Sequence, residues 1–329
     1  MSTLQNTIGN TPLIKLQRLT PANGSEIWLK LEGNNPAGSV KDRAAWSMIH
    51  QAELRGEIAP GDRLIEATSG NTGIALAMIA AMKGYALRLL MPENMSQERQ
   101  DAMRAYGAEL VLVSREQGME GARDMALAMM ARGEGHVLDQ FNNPDNPLGH
   151  YQTTGPEIWR DTQGKLDIFV ASVGTGGTLS GIGRYLKAQD PAIQVVAVEP
   201  GIGSQPSPQH PEPLEITGVH AFSGQPPERI PPNLDPQVYD DAIAVETWQA
   251  YQAARQFALA EGILVGDSSG AVLFAAQQLA ARPENQGKRI VLLLADGGAN
   301  YLSTRLFSHD HPAESLKEAT AVQTSQLLL

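Results

Sequence analysis

Three segments of this chain hold residue types that could do chemistry. Lys41 lies in Gly38-Ser39-Val40-Lys41-Asp42-Arg43. Two loops rich in glycine and threonine lie downstream, Thr68-Ser69-Gly70-Asn71-Thr72-Gly73 and Gly174-Thr175-Gly176-Gly177-Thr178. Each loop follows an apolar run of strand length and opens a helical pattern, so it leaves backbone N–H groups bare at a helix N-terminus, where an anion is stabilised. Ser39 as N-cap, with Asp42 three residues on, predicts a capping box that puts Lys41 in a first helical turn. There the helix dipole opposes an ammonium, lowers its pKa and raises the share of free amine, which Schiff-base formation needs.

In the first loop, Thr68, Ser69 and Thr72 can donate to a carboxylate and Asn71 to a phenolic oxygen, though an N-cap and tight turn would use the same residue types. The second loop suits a phosphate, because glycines allow close approach and Thr175 and Thr178 add hydroxyls. Leu179 stands where the dinucleotide fingerprint needs glycine, and no Gly-Lys-Ser/Thr follows for a P-loop. Gly266-Asp267-Ser268-Ser269-Gly270 fits the spacing of a hydrolase elbow centred on Ser268, but no base and acid accompany it, so a turn opening a helix is the plainer reading. Histidines show no metal-ligand spacing, and His136, His150, His309 and His311 are expected at the surface. Two anion cradles and a reactive amine read as pyridoxal-phosphate chemistry on an amino acid.

The elements that must position these residues alternate. Short apolar runs at 64–67, 87–91, 110–113, 168–171, 195–198 and 290–294 predict strands, and their lack of polar alternation points to a parallel sheet buried on both faces. Helical patterns between them, such as 96–106 and 247–261, make the chain α/β. Residues 201–235 differ, being rich in Pro, Gly and polar residues and holding His210 and His220. So long a stretch without pattern predicts a functional or mobile loop.

At 329 residues the length favours two domains or one large α/β unit. With 25 Lys and Arg against 36 Asp and Glu, the net charge of -11 argues against a nucleic-acid or anionic-membrane surface. The absence of cysteine excludes disulfides, thiolate nucleophiles and cysteine-ligated metal centres. Residues 1–7 carry neither a basic nor an apolar leader pattern, and the apolar stretch 74–82 is too short to span a membrane, so a cytoplasmic protein is expected.

In order along the chain, the motifs resemble the cysteine synthase (O-acetylserine sulfhydrylase) family of fold-type II pyridoxal-phosphate enzymes. The resemblance runs through Ile8-Gly9-Asn10-Thr11-Pro12-Leu13, the lysine segment from Asn35, both glycine-threonine loops, Thr153-Thr154-Gly155-Pro156-Glu157-Ile158-Trp159 and Tyr301-Leu302-Ser303-Thr304. Asn94-Met95-Ser96-Gln97-Glu98-Arg99 and the segment 117–124 are most similar to B-type members. The resemblance implies a tryptophan synthase β-like fold of two three-layer αβα domains with twisted, mostly parallel sheets. Residues 1–38 and 146–307 would form the larger, cofactor-binding domain, 39–145 a smaller mobile domain, and 308–329 a C-terminal tail.

It also implies roles. Lys41 would hold pyridoxal 5'-phosphate and later act as acid and base at the substrate α-carbon. Asn71 would bond the ring oxygen, Gly174, Thr175, Gly176, Gly177 and Thr178 the phosphate, and Ser268 would face the pyridine nitrogen. Thr68, Ser69, Thr72 and Gln140 would hold the substrate carboxylate. The implied reaction is β-replacement through an aminoacrylate, giving L-cysteine from O-acetyl-L-serine and sulfide. A homodimer is implied, and serine acetyltransferase is a partner whose binding the sequence leaves open. B-type members carry a basic pair and a Trp shortly after the strand matching 195–198. The stretch 203–210 has no arginine, so the resemblance does not extend to thiosulfate as donor. Condensation with homocysteine, as in cystathionine β-synthase, is the nearest alternative. A serine or threonine dehydratase fits less well, since Thr72 stands where it has His. A non-catalytic binding protein of this fold would be expected to lack Lys41.

Overall fold

The computed structural model describes residues 3–68 and 70–308. Ser69 and almost all of the expected tail, 309–329 with His309 and His311, lie outside the described residues. In chain order the strands are β1 (Leu13–Lys15), β2 (Glu26–Leu31), β3 (Arg63–Ala67), β4 (Ala86–Pro92), β5 (Glu109–Val113), β6 (His136–Val137), β7 (Ile168–Ser172), β8 (Gln194–Pro200), β9 (Asp241–Val245) and β10 (Arg289–Leu294). The helices are α1 (Lys41–Leu54), α2 (Asn71–Lys83), α3 (Gln97–Ala105), α4 (Gly118–Ala131), α5 (Asp145–Gly149), α6 (Gly155–Asp161), α7 (Gly177–Gln189), α8 (Thr247–Glu261) and α9 (Asp267–Ala281).

Two sheets result. One runs β1-β2-β10-β7-β8-β9 and the other β5-β4-β3-β6. Every pairing is parallel except β1 with β2. Alternate side chains of a strand point to opposite faces, which explains the unbroken apolar runs. Val170 and Leu292 meet the α8 and α9 side, whereas Phe169 and Val291 meet Leu179 and Ile182 of α7. In the second sheet, Leu64 and Leu89 pack toward α1 and α2, and Ile65 and Leu90 toward α4. Each sheet is thus covered by helices on both faces, as expected for an α/β protein. Among the described residues, no helix is long and apolar enough to cross a membrane.

Two local expectations change. Helix α1 starts at Lys41 with Val40 as its N-cap residue; the Ser39 hydroxyl accepts the Lys41 N–H at 3.2 Å, while Asp42 accepts the Ala37 N–H at 2.6 Å. The predicted capping box is therefore replaced by one contact across two positions and one across five. His150, expected at the surface, is buried at 1% exposure in a π-helical turn, 150–154, because the chain passes directly from α5 to α6 there. The segment 201–235 is irregular apart from two short 3-10 turns, Ile202–Ser204 and Pro227–Arg229.

Candidate active site

The candidate residues gather where the C-terminal ends of β3, β7 and β10 open into loops, the place where open parallel sheets bind ligands. Lys41 is fixed there by its neighbours. The Val40 N–H donates to the Ala295 carbonyl at 2.8 Å, and Ser39 forms a bridge with Asp296 just after β10. Arg43, two residues on, anchors α1 through a buried ionic cluster. Its guanidinium donates to Glu32 at 2.7 and 2.8 Å and to Glu157 at 2.8 and 2.7 Å, and Lys30 pairs with Glu157 at 2.7 Å. Gly9, Asn10 and Thr11 close the cluster: their N–H or O–H groups donate to Asn35, Glu157 and Glu32.

The Lys41 ammonium makes no hydrogen bond or ion pair among the described residues. Burial lowers its pKa, and the field of Asp296 works against that shift. Asp296 is itself buried at 3% exposure, and burial raises its pKa even though two donors hold it. Those donors are Asn71 Nδ2 at 2.8 Å and the Tyr301 hydroxyl at 2.7 Å, both to Oδ2, while Oδ1 is buried without a partner among the described residues. Asn71, the first residue of α2, is thus tied across the cleft to the end of β10. Arg99 lies against the same group, its guanidinium 5.3 Å from the Tyr301 ring.

Thr68 turns inward to accept the N–H groups of Gly70 and Gly73 at 3.3 and 3.1 Å, which shapes the entry to α2. The Thr72 hydroxyl donates to Gln140 Oε1 at 2.7 Å. Gln140 is held in turn by Glu66, whose carboxyl accepts the N–H groups of Asp139 and Gln140 at 3.0 and 3.2 Å. Asn146 Nδ2 then bridges the Gln140 carbonyl and the Thr175 hydroxyl oxygen, each at 2.9 Å. A continuous chain of hydrogen bonds therefore joins the first loop to the second.

The second loop is built to be approached closely. A Cβ on Gly176 would lie 2.4 Å from the Leu234 nitrogen, at a φ of +84° that disfavours any side chain, and one on Gly177 would lie 2.2 Å from Asn146 Oδ1. The N–H groups of Gly174, Thr175, Gly176 and Thr178 find no acceptor among the described residues. His150 braces the loop from behind, its ring 2.9 Å from the Thr154 hydroxyl and 3.3 Å from that of Thr178. Burial pushes its pKa down to about 3, so it is neutral at physiological pH. Ser268 follows Asp267 at the start of α9, with its N–H on the Asp267 carboxylate at 2.8 Å. Neighbouring Ser269 accepts the Ala295 N–H at 2.9 Å, which ties this turn to the end of β10.

The structure thus brings Lys41, Asn71, Thr68, Thr72, Gln140, the 174–178 loop and Ser268 to one region. Sequence reasoning missed Asp296, His150, Asn146 and Glu66. Asp296 carried a readable signal, an acid at the C-terminal end of a parallel strand; the others carried none. The donor set fits pyridoxal phosphate: a free amine, unpaired N–H groups for a phosphate at a helix N-terminus, an amide, and a serine at a second helix start.

These features define a class, and the chain belongs to the pyridoxal-phosphate dependent enzyme family, whose model matches residues 4–296. It is similar to cysteine synthase B of Salmonella typhimurium, with 56% identity over 312 residues covering 94% of this chain and 98% of that protein. Cysteine synthase B of Pseudomonas aeruginosa is 50% identical, covering 93% of this chain and 97% of its own. Among solved structures, a cysteine synthase from Entamoeba histolytica superposes with a TM-score of 0.85 at 38% identity, covering 95% of this chain and 92% of that one.

Proposed function

We propose that this protein makes L-cysteine from O-acetyl-L-serine and sulfide by β-replacement, with pyridoxal 5'-phosphate as its cofactor. The observation that carries the reading is a half-buried, unpaired amine, Lys41, set near a cradle of bare N–H groups and a hydroxyl-and-amide loop. When bound, the cofactor supplies an electron sink for charge developing at the substrate α-carbon. Lys41 would hold it through Nζ, the loop 174–178 would take its phosphate, Asn71 would donate to its ring oxygen and Ser268 would stand at its pyridine nitrogen. A hydroxyl at that last position, unlike a carboxylate, need not keep the nitrogen protonated.

Thr68, Ser69, Thr72 and Gln140 hold the substrate carboxylate. Lys41 would take the α-proton, and burial, which lowers its pKa, raises its share of free amine. The β-carbon–oxygen bond breaks and acetate leaves. Sulfur then adds to the β-carbon, and Lys41 returns the proton to the α-carbon. Residues 39–145 act as the smaller domain that closes over the carboxylate and excludes water, against the larger one of 1–38 and 146–307. The protein acts in the cytoplasm as a homodimer; serine acetyltransferase as a further partner is tested by co-sedimentation.

The direct test of the assignment of Lys41 is Lys41→Ala. The variant is expected to lose the absorbance of lysine-linked cofactor and roughly a thousandfold or more of the cysteine-forming rate. Retention of both would contradict the assignment.

A further inference from the structure

The irregular segment 201–235 delivers one more titratable side chain to the cleft. The His220 backbone N–H donates to the Val173 carbonyl at 2.8 Å, which sets the residue beside the loop that begins at Gly174. Its neighbour Gly218 presses on that loop as well, its carbonyl 2.4 Å from where a Gly174 Cβ would stand. The His220 ring meets Phe141 edge-on, at 5.6 Å between centroids and 81° between planes. Phe141 follows Gln140, so the ring touches a chain neighbour of the expected carboxylate site as well as lying beside the expected phosphate loop. The residue stays open to solvent, unlike the buried His150.

We propose that His220 is the base that takes the proton from the incoming sulfur nucleophile. This rests on the β-replacement reading above. As sulfide enters as H2S, its S–H bond breaks and the proton moves to the free ring nitrogen of His220. The sulfur electron pair forms the bond to the β-carbon. The proton needed at the α-carbon comes from Lys41, and protonated His220 later loses its proton to water. No electrons are gained or lost overall.

The surroundings suit a base. Desolvation lowers the ring's pKa, a hydrogen bond with the Gly174 backbone works the other way, and the charge of Lys41 lowers it further. The other charged groups nearby are already engaged. Arg123 lies over the Phe141 ring at 5.9 Å and pairs with Asp139 at 3.7 Å, and Glu199 accepts the N–H groups of Phe222 and Ser223, each at 2.9 Å. In its neutral form an imidazole carries one N–H and one acceptor nitrogen, so the ring can take up a proton.

The test separates the two halves of the reaction in the purified holoenzyme. O-acetyl-L-serine is added first and the change in cofactor absorbance timed; sulfide is then added near pH 6, where it is mainly H2S, and the return timed. His220→Gln is expected to keep the first rate within about twofold and to slow the second by roughly a hundredfold. Its second rate should also rise about tenfold per pH unit, since only preformed HS− then reacts. Equal slowing of both halves, or an unchanged second half, would overturn the proposal. If wild-type protein shows no absorbance change with O-acetyl-L-serine, it is the β-replacement reading that fails instead. Independently, the His220 ring protons in the wild-type protein, assigned by comparison with His220→Gln, should titrate below about 6.5, the ordinary histidine value. Titration at or above that value would overturn the proposal without reference to any variant.

Discussion

A carboxyl buried among backbone donors trades water for a few fixed contacts, and Glu66 shows what that means for this site. Burial raises its pKa to about 7, only partly offset by the N–H groups of Gln140 and Asp139 that it accepts. The folded protein therefore binds a proton between pH 4.5 and 7 that the unfolded chain has released. By linkage, its stability falls as pH rises through that window. Glu66→Gln removes the titration. The stability of the variant relative to wild type should therefore improve by roughly 3 kcal/mol from about pH 4 to about pH 8, read from urea unfolding at both pH values. A difference that does not change with pH would show that Glu66 does not titrate in this window. At this scale the sequence marked Lys41 as a candidate by its place in an expected first helical turn, and the loop residues by their glycine and hydroxyl types. It held no sign of Glu66 or His150, whose roles come from burial and from partners 73 and 28 positions away; Asp296 was marked only by its place after a strand, and its tie to Asn71 spans 225 positions.

Among the elements, the loop opening α7 concentrates the constraint. It must turn sharply after β7, lie against Leu234 and Asn146, and still leave its N–H groups free. Gly176→Ala places a methyl 2.4 Å from the Leu234 backbone nitrogen, at a φ of +84°. The main chain there cannot yield as a flexible side chain would, so the loop must move. We expect this variant to stay folded by circular dichroism yet to lose at least about tenfold in cofactor affinity, measured by equilibrium titration with pyridoxal phosphate. Wild-type affinity would contradict the loop's role. Strand positions were legible from unbroken apolar runs: β3, β4, β5, β7, β8 and β10 all fall where expected, to within two residues at either end. β2 and β9 were not, since charged or small residues interrupt their apolar character (Glu26 and Lys30 in one, Asp241 and two alanines in the other).

For the whole molecule, the order of motifs along the chain becomes intelligible through one cluster. Gly9 to Thr11, Asn35 to Arg43 and Thr153 to Glu157 lie far apart in sequence but converge on Arg43, Glu32 and Glu157 beneath Lys41. Removing one member of such a buried ionic set strands the others, which is why segments remote from the chemistry bear on it. Two further ties, Asn71 to Asp296 and Thr72 through Gln140 and Asn146 to Thr175, join loops that follow different sheets. The motifs could be read from sequence, but their convergence needed the fold. We propose that this convergence builds a cysteine-forming pyridoxal-phosphate site. Its most direct test is the absorbance spectrum of the purified protein, recorded alone, after O-acetyl-L-serine and after subsequent sulfide. A cofactor band is expected that shifts with O-acetyl-L-serine and is restored by sulfide as cysteine appears. A spectrum without a cofactor band, or a band restored only by homocysteine, would contradict it.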